Sequence, residues 1–227
     1  MKELLERVHE KLANGSNKGR IVIGIVGCPG SGKSTLAELL VNRLNANDLQ
    51  NPIAQILPLD GFHLANYVLE NLGLRELKGI PDTFDAAGYI QKLKEAKQDP
   101  PKILKAPRFD REIEASIEDG IYISPETKII ITEGNYLLLE NEPWAQIAGL
   151  LDDCWYLRAD PQTLTERLIE RHMTGGKGRD QAIEKVQSTD LPNARLVEVT
   201  KARAQMLVKP AEEPFEYRIQ QRELKQR

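Results

Sequence analysis

The chain has 227 residues, 41% apolar and 29% charged, which is enough for one domain with a full core and too apolar for a disordered chain. Its 31 Lys and Arg against 34 Asp and Glu leave a net charge of -3, so it carries no overall pull toward nucleic acid. No apolar run nears the ~20 residues of a membrane span, Met1 to Asn14 lacks a signal peptide's apolar stretch, and Cys28 and Cys154 alone build no disulfide framework, so a reduced, cytoplasmic protein is expected.

Leu4, Leu5, Val8 and Leu12 share one helical face and predict an amphipathic helix over residues 1–14, closed by a break at Gly15–Gly19. Ile21 to Val26 is a β-branched run typical of a strand buried on both faces. A glycine loop follows, then a helix through Leu36, Leu39, Leu40 and Leu44, then a strand from Ala54 to Leu59 ending at Asp60. Asp85 caps a helix from Ala86 to about Gln98, which Asp99-Pro100-Pro101 stops. Ile103 to Phe109 reads as an irregular strand, Ile113 to Ile123 as a hairpin or loop, and Lys128 to Thr132 as a buried strand ending at Glu133. Cys154 to Leu157 is a further strand. Asp160-Pro161 starts a helix that runs to Arg171, the glycines at 175–178 break it, and helices fill Asp180 to Leu207 before a last strand near Phe215 to Ile219. Buried strands alternating with helices predict an α/β fold with a mainly parallel sheet flanked by helices.

Gly27-Cys28-Pro29-Gly30-Ser31-Gly32-Lys33-Ser34 fits G-x-x-x-x-G-K-[ST] without a gap, and Thr35 continues it into the helix. Glycines let successive backbone N–H groups turn inward as an anion-binding nest, and the helix behind adds the positive end of its dipole. Lys33 reaches the β- and γ-phosphates and the Ser34 hydroxyl suits Mg²⁺. A P-loop of this type implies a nucleoside triphosphate with Mg²⁺, but not its use. No N-K-x-D follows the loop to read guanine, and the strand at 128–132 ends in one acid rather than the Asp-Glu pair of a mechanical ATPase. A small-molecule kinase needs a carboxylate beside the γ-phosphate, and Asp60, at a strand end next to the loop, meets that need. From spacing alone Asp60-Gly61 is equally an ordinary turn.

Four further segments follow in order: Asp60-Gly61-Phe62-His63, Lys78-Gly79-Ile80-Pro81-Asp82-Thr83-Phe84-Asp85, Ala106-Pro107-Arg108-Phe109 and Ile131-Thr132-Glu133-Gly134-Asn135-Tyr136-Leu137-Leu138. Together with the loop they resemble the phosphoribulokinase / uridine kinase / bacterial pantothenate kinase family of P-loop kinases, closest to its nucleoside/nucleotide-kinase-like branch of sugar (fructose) kinases, over about Ile21 to Val199. The resemblance implies a single P-loop kinase domain over 1–227, with a nucleoside monophosphate kinase type core and a helical lid at about 167–192. It implies ATP and Mg²⁺, a small-molecule acceptor, no nucleic-acid or membrane partner, and a homodimer as in many members. It implies that Asp60 is the catalytic base and that Glu133 serves Mg²⁺ or the waters around it.

Arg167 and Arg171, four residues apart on one helical face, lead into the glycine hinge and suit a lid that closes cations over the phosphates. Arg171 ranks first, Arg167 second and Arg179 third, with pairing to Glu166 and Glu170 as the plainer alternative. Asn193 falls where the family approaches the nucleotide base. The acceptor pocket is expected to draw on His63, Asn66, Arg108, Asp110, Arg111, Asn135 and Tyr136, polar groups that suit a polyhydroxyl or nucleoside. Arg108 and Arg111 can hold an acceptor carboxylate or phosphate, or pair with Asp110 and Glu112. Asp110-Arg111 stands where pantothenate kinases carry Ser-His, and His63 stands where uridine kinases carry Tyr, so both acceptors rank behind a sugar-like one. A nucleotide-dependent switch or regulatory ATPase is the reading from another class.

Overall fold

The computed structural model describes residues 1–14 and 19–220. The break predicted at 15–18 and the end of the charged tail therefore lie outside the described residues.

A six-stranded sheet in the order β2-β5-β1-β6-β7-β8 forms the centre. Its strands are β1 (Ile21–Val26), β2 (Ala54–Pro58), β5 (Ile129–Gly134), β6 (Asp153–Leu157), β7 (Met206–Pro210) and β8 (Tyr217–Gln220). The first five in space run parallel, and β8 turns back antiparallel on β7. Alternation sorts the side chains of β1: Val22 and Val26 face one layer, and Ile21, Ile23 and Ile25 face the other. On the first face lies α4 (Ala86–Ala96), with Tyr89, Ile90 and Leu93 inward. The second face is covered by α1 (Lys2–Asn14), through Leu4 and Val8, and by α2 (Lys33–Leu44), through Leu36, Ala37 and Leu40. Arg7 ties α1 down by donating from Nε to the buried Asp153 at 2.7 Å.

A separate antiparallel hairpin, β3 (Leu104–Asp110) and β4 (Ala115–Ile123), pairs Leu104 with Ile123 and Asp110 with Ala115 around a register shift between Ala106 and Arg108. Beyond the sheet, α5 (Pro161–Thr174), α6 (Arg179–Lys185) and α7 (Leu191–Glu198) follow in series, with a π turn at Val186–Asp190 joining the last two. The Asp85 and Asp160 caps are present: their carboxylates accept from the N–H groups of Gly88 and Thr163.

Three differences from the sequence expectations have physical causes. Met206 to Leu207, read as the end of a helix, open β7, because pairing beside β6 buries Met206 and Val208 and outweighs the helix propensity of Met and Leu. A short helix, α3 (Asn66–Asn71), had no periodic signal to announce it. Asp60 sits not on the strand but one step beyond it, in a 3-10 turn at Leu59–Phe62.

Candidate active site

The parallel strands deliver their C-terminal ends to one edge, where ligands bind in open α/β sheets. In register, Glu133 lies opposite Ile25 on one side and Pro58 on the other. The end of β5 therefore sits between the start of the phosphate loop and the turn that carries Asp60. A cleft of about 1090 Å³ opens there, bounded by the phosphate loop, the Asp60 turn, the hairpin end, the α5–α6 region and the β7–β8 turn.

The loop bends through two left-handed residues, Gly30 (φ 78°) and Gly32 (φ 91°), where a side chain would be strained. At Gly30 a Cβ would also press within 3.1 Å of Leu168 Cγ, so α5 packs directly on the loop. Pro29, Gly30, Ser31, Gly32, Lys33, Ser34 and Thr35 line the cleft. Gly27 and Cys28 lie beneath it, and the Cys28 thiol contacts the Tyr156 hydroxyl at 3.3 Å and the Ala194 carbonyl at 3.3 Å. Burial pushes this thiol's pKa up, which disfavours its reactive thiolate form.

Lys33 is buried and folds back to donate to the Cys28 carbonyl at 3.1 Å. Burial lowers its pKa, against the attraction of Glu133 and Asp60. Glu133 is buried too and accepts from Ser34 Oγ at 3.0 Å. Burial, and next the charge of Asp60, push its carboxyl up to about 7, against the pull of Lys33. Among the described residues no group of three His, Cys, Asp or Glu gathers to hold a metal unaided. The Ser34–Glu133 oxygen pair fits a hard cation such as Mg²⁺ that takes its other ligands from phosphates and water.

Asp60 Oδ2 accepts from Arg111 at 3.2 Å. His63 Nδ1 donates to the Asp60 backbone carbonyl at 2.8 Å, which leaves Nε2 as an acceptor. The His63 ring lies 4.0 Å from Phe84 and 4.9 Å from Phe109, centre to centre, and burial lowers its pKa. Asn135 lines the cleft beside Glu133. On the opposite wall, Arg167 donates to the Gly30 carbonyl at 3.4 Å, and Arg171 stands 4.0 Å from Asp190, whose other oxygen holds His172 at 2.6 Å.

The remaining expected residues lie elsewhere. Arg108 lies over Gly120 of the hairpin and pairs with Asp110 at 3.6 Å, so neither lines the cleft. Asn66 accepts from Lys78 at 3.0 Å and acts on the cleft only through that lysine. Tyr136 is buried edge-on to Phe84 and Trp144, its hydroxyl donating to the Gly79 carbonyl, and Asn193 is buried beside the same carbonyl at 3.4 Å. Both are scaffold for the 79–84 segment. Arg179 begins α6 outside the cleft. The lining also includes Arg75, Lys78, Lys177 and Lys185 and the Pro210–Tyr217 turn, none of which the sequence marked as site residues. Lys78 had a signal, since it opens one of the ordered family segments.

The family model described as an AAA domain matches residues 23–191. A Schizosaccharomyces pombe protein provisionally named a uridine kinase is 36% identical, over 86% of this chain and 84% of its own. The pantothenate kinase of Enterococcus faecalis is 32% identical over 66% of this chain, a stretch that spans 48% of that enzyme. The crystal structure of a protein from Silicibacter sp. TM1040, provisionally named a fructose transport system kinase, superposes with a TM-score of 0.78 at 36% identity, covering 87% of this chain and 93% of that one. No helix among the described residues is long and apolar enough to cross a membrane.

Proposed function

This chain belongs to the P-loop kinase family of the phosphoribulokinases, uridine kinases and bacterial pantothenate kinases, and from that premise we propose that it transfers the γ-phosphate of Mg·ATP to a hydroxyl of a sugar-like metabolite. The observation that carries the reading is the convergence of Asp60, Lys33 and Glu133 at one sheet edge, with Arg167 and Arg171 on the facing wall of the same cleft. The polar lining and the likeness to the Silicibacter protein support a sugar-like acceptor, and the likeness to the Schizosaccharomyces pombe protein keeps a nucleoside as the alternative. A cytoplasmic location, where ATP is at hand, is part of the same proposal.

In this mechanism the loop N–H groups and Lys33 hold the β- and γ-phosphates, and Ser34 and Glu133 would hold Mg²⁺, which would neutralise phosphate charge. Asp60 orients the acceptor hydroxyl for in-line attack. The new bond joins the acceptor oxygen to the γ-phosphorus as the bond to the ADP β-phosphate oxygen breaks, and the hydroxyl proton passes to an Asp60 carboxylate oxygen. Asp60 meets the proton late, because a carboxylate is a weak base toward a free alcohol and a strong enough one toward an oxygen already bonding to phosphorus. Arg111 holds Asp60 in place until the acceptor arrives. Residues 167–192 act as the lid, with Arg171 on the transferring phosphoryl group and Arg167 steadying the loop.

The test is ADP release from Mg·ATP across sugars, polyols, hydroxy acids, nucleosides and pantothenate, repeated with Asp60→Asn. The proposal expects one acceptor to raise turnover well above the rate without acceptor. It also expects Asp60→Asn to remove that increment by about 10²- to 10⁴-fold while an ATP analogue still binds. A no-acceptor rate that nothing in the panel raises, and that Asp60→Asn leaves alone, would favour a nucleotide switch instead.

A further inference from the structure

Two lysines on the cleft wall are positioned but not neutralised. Lys78 Nζ donates to the side-chain carbonyl of Asn66 at 3.0 Å and to the backbone carbonyl of Glu114 at 2.7 Å. Lys185 Nζ reaches from α6 to the backbone carbonyl of Glu76 at 2.5 Å. Both side chains are half-buried, and among the described residues neither has a carboxylate within ion-pair distance. The nearest acids, Glu114 for Lys78 and Asp190 and Glu76 for Lys185, attract the ammoniums from beyond ion-pair distance, and Asp190 is already engaged by His172 and Arg171. Burial is the largest influence on each ammonium and lowers its pKa, outweighing the attraction of Glu114 on Lys78 and of Asp190 and Glu76 on Lys185. A partly buried charge held by neutral oxygens is costly unless a ligand supplies the opposite charge.

The location shows which ligand. Lys78 lies over the Phe109 ring at 5.0 Å, Phe109 touches His63, and His63 is bonded to the backbone of Asp60. The lysine and the proposed base line the same cleft, linked through this aromatic pair. Lys185 reaches the same segment from α6, in the proposed lid, at the Glu76 carbonyl.

We infer that the acceptor carries an anionic group, a carboxylate or a phosphate, gripped between Lys78 on the core and Lys185 on the lid while its hydroxyl meets Asp60. This deepens the kinase reading and rests on it. It replaces Arg108, which faces away from the cleft, as the group that recognises a charged acceptor. Neutral sugars, polyols and nucleosides become poor acceptors, and the substrate class narrows to sugar phosphates and sugar acids or hydroxy acids. It also ties acceptor binding to the seat of α6 on the core, which the Lys185–Glu76 contact sets.

Two measurements test this. The first is independent of turnover. With the phosphate loop filled by a non-hydrolysable Mg·ATP analogue, inorganic phosphate and acetate are titrated by calorimetry into wild type, Lys78→Met, Lys185→Met and the conservative Lys78→Arg. Wild type should bind at least one of the two anions, each Met variant should weaken it about ten- to a hundredfold, and Lys78→Arg should recover most of the loss. Analogue binding in every variant serves as the check on folding. Equal anion binding in wild type and both Met variants would overturn the inference. The second measurement pairs neutral compounds with their anionic counterparts, a hexose with its 6-phosphate and glycerol with glycerate, as acceptors. Turnover should be confined to one anionic member, and the phosphate and carboxylate arms identify which group is read. A neutral member used as well as its counterpart would overturn the inference and leave the kinase reading standing. Lysine-dependent anion binding with no turnover of any compound would support the anion site and count against the kinase reading.

Discussion

The Asp60 turn rests on the hairpin with no room for a side chain between them. A Cβ built on Gly61 would stand 2.1 Å from the Pro107 carbonyl oxygen and 2.8 Å from its carbonyl carbon. That is more than 1 Å inside the contact distance of about 3.5 Å. Both obstructing atoms are backbone, and Pro107 lies at the register shift of β3, so neither side yields by a rotamer change. Overpacking of this kind costs about 3 kcal/mol, the upper end of the usual range. For a chain of this size that lowers Tm by roughly 6–12 °C. The turn carries Asp60 and the hairpin end carries Arg111, so parting them misplaces the base, and a displacement of about 1 Å is worth on the order of a hundredfold in kcat. Gly61→Ala is therefore expected to lose both stability, followed by calorimetry, and acceptor-dependent ADP release. Gly149→Ala is the control, because nothing lies within 4 Å of its Cβ position, and a small gain of about 0.5 kcal/mol is expected there. A Gly61→Ala protein that melts and turns over like wild type would refute the claim that hairpin contact fixes Asp60.

Other expectations follow from the same geometry. Chelating divalent cations should stop transfer, and Ser34→Ala should raise the Mg²⁺ needed for half-maximal turnover by about tenfold, since one oxygen of the Ser34–Glu133 pair is lost. Arg171→Met should lower kcat on the order of a hundredfold, whereas Arg167→Met, which loses the bond to the Gly30 carbonyl, should act mainly on the KM for ATP; steady-state kinetics separate the two. Burial holds His63 below its ordinary pKa, so the unfolded chain takes up that proton first, and stability falls as pH drops from about 6.5 toward the depressed folded value. His63→Gln should flatten Tm between pH 7.5 and 5.5 (roughly the window set by the ordinary imidazole value), and equal slopes in the two proteins would contradict this.

The phosphate loop was legible because its whole chemistry is contiguous, from Gly27 to Ser34, and needs only a strand before it and a helix after it. Glu133 and Asp60 could be set near strand ends, but the roles expected of them came from the resemblance, because Asp60-Gly61 alone is equally an ordinary turn. The acceptor wall was not legible. Along β3 the register shift between Ala106 and Arg108 resets which side chains face the cleft, so Arg111 enters it while Arg108 pairs with Asp110 outside. Nothing in the local pattern distinguishes those two arginines. Lys78 and Lys185 are far apart in the chain and meet one cleft only through the fold. Tyr136 and Asn193 carry polar atoms that suggest a ligand, yet both spend them on the Gly79 carbonyl, a partner that only tertiary structure supplies.

The π turn at Val186–Asp190 joins α6 to α7 without interrupting the helical path, so Arg179 to Glu198 is one rod. Lys185, the last residue of α6, is bonded to the Glu76 carbonyl. The rod's inner end is buried, with Asn193 beside Gly79 and the carbonyl of Ala194 against the Cys28 thiol under the phosphate loop. The rod is thus tied to the core at three points, the Glu76 carbonyl, the Gly79 carbonyl and the phosphate loop. The floor of the nucleotide site and the 76–79 segment of the acceptor side therefore lean on the same rod, so the two halves of the cleft share one support.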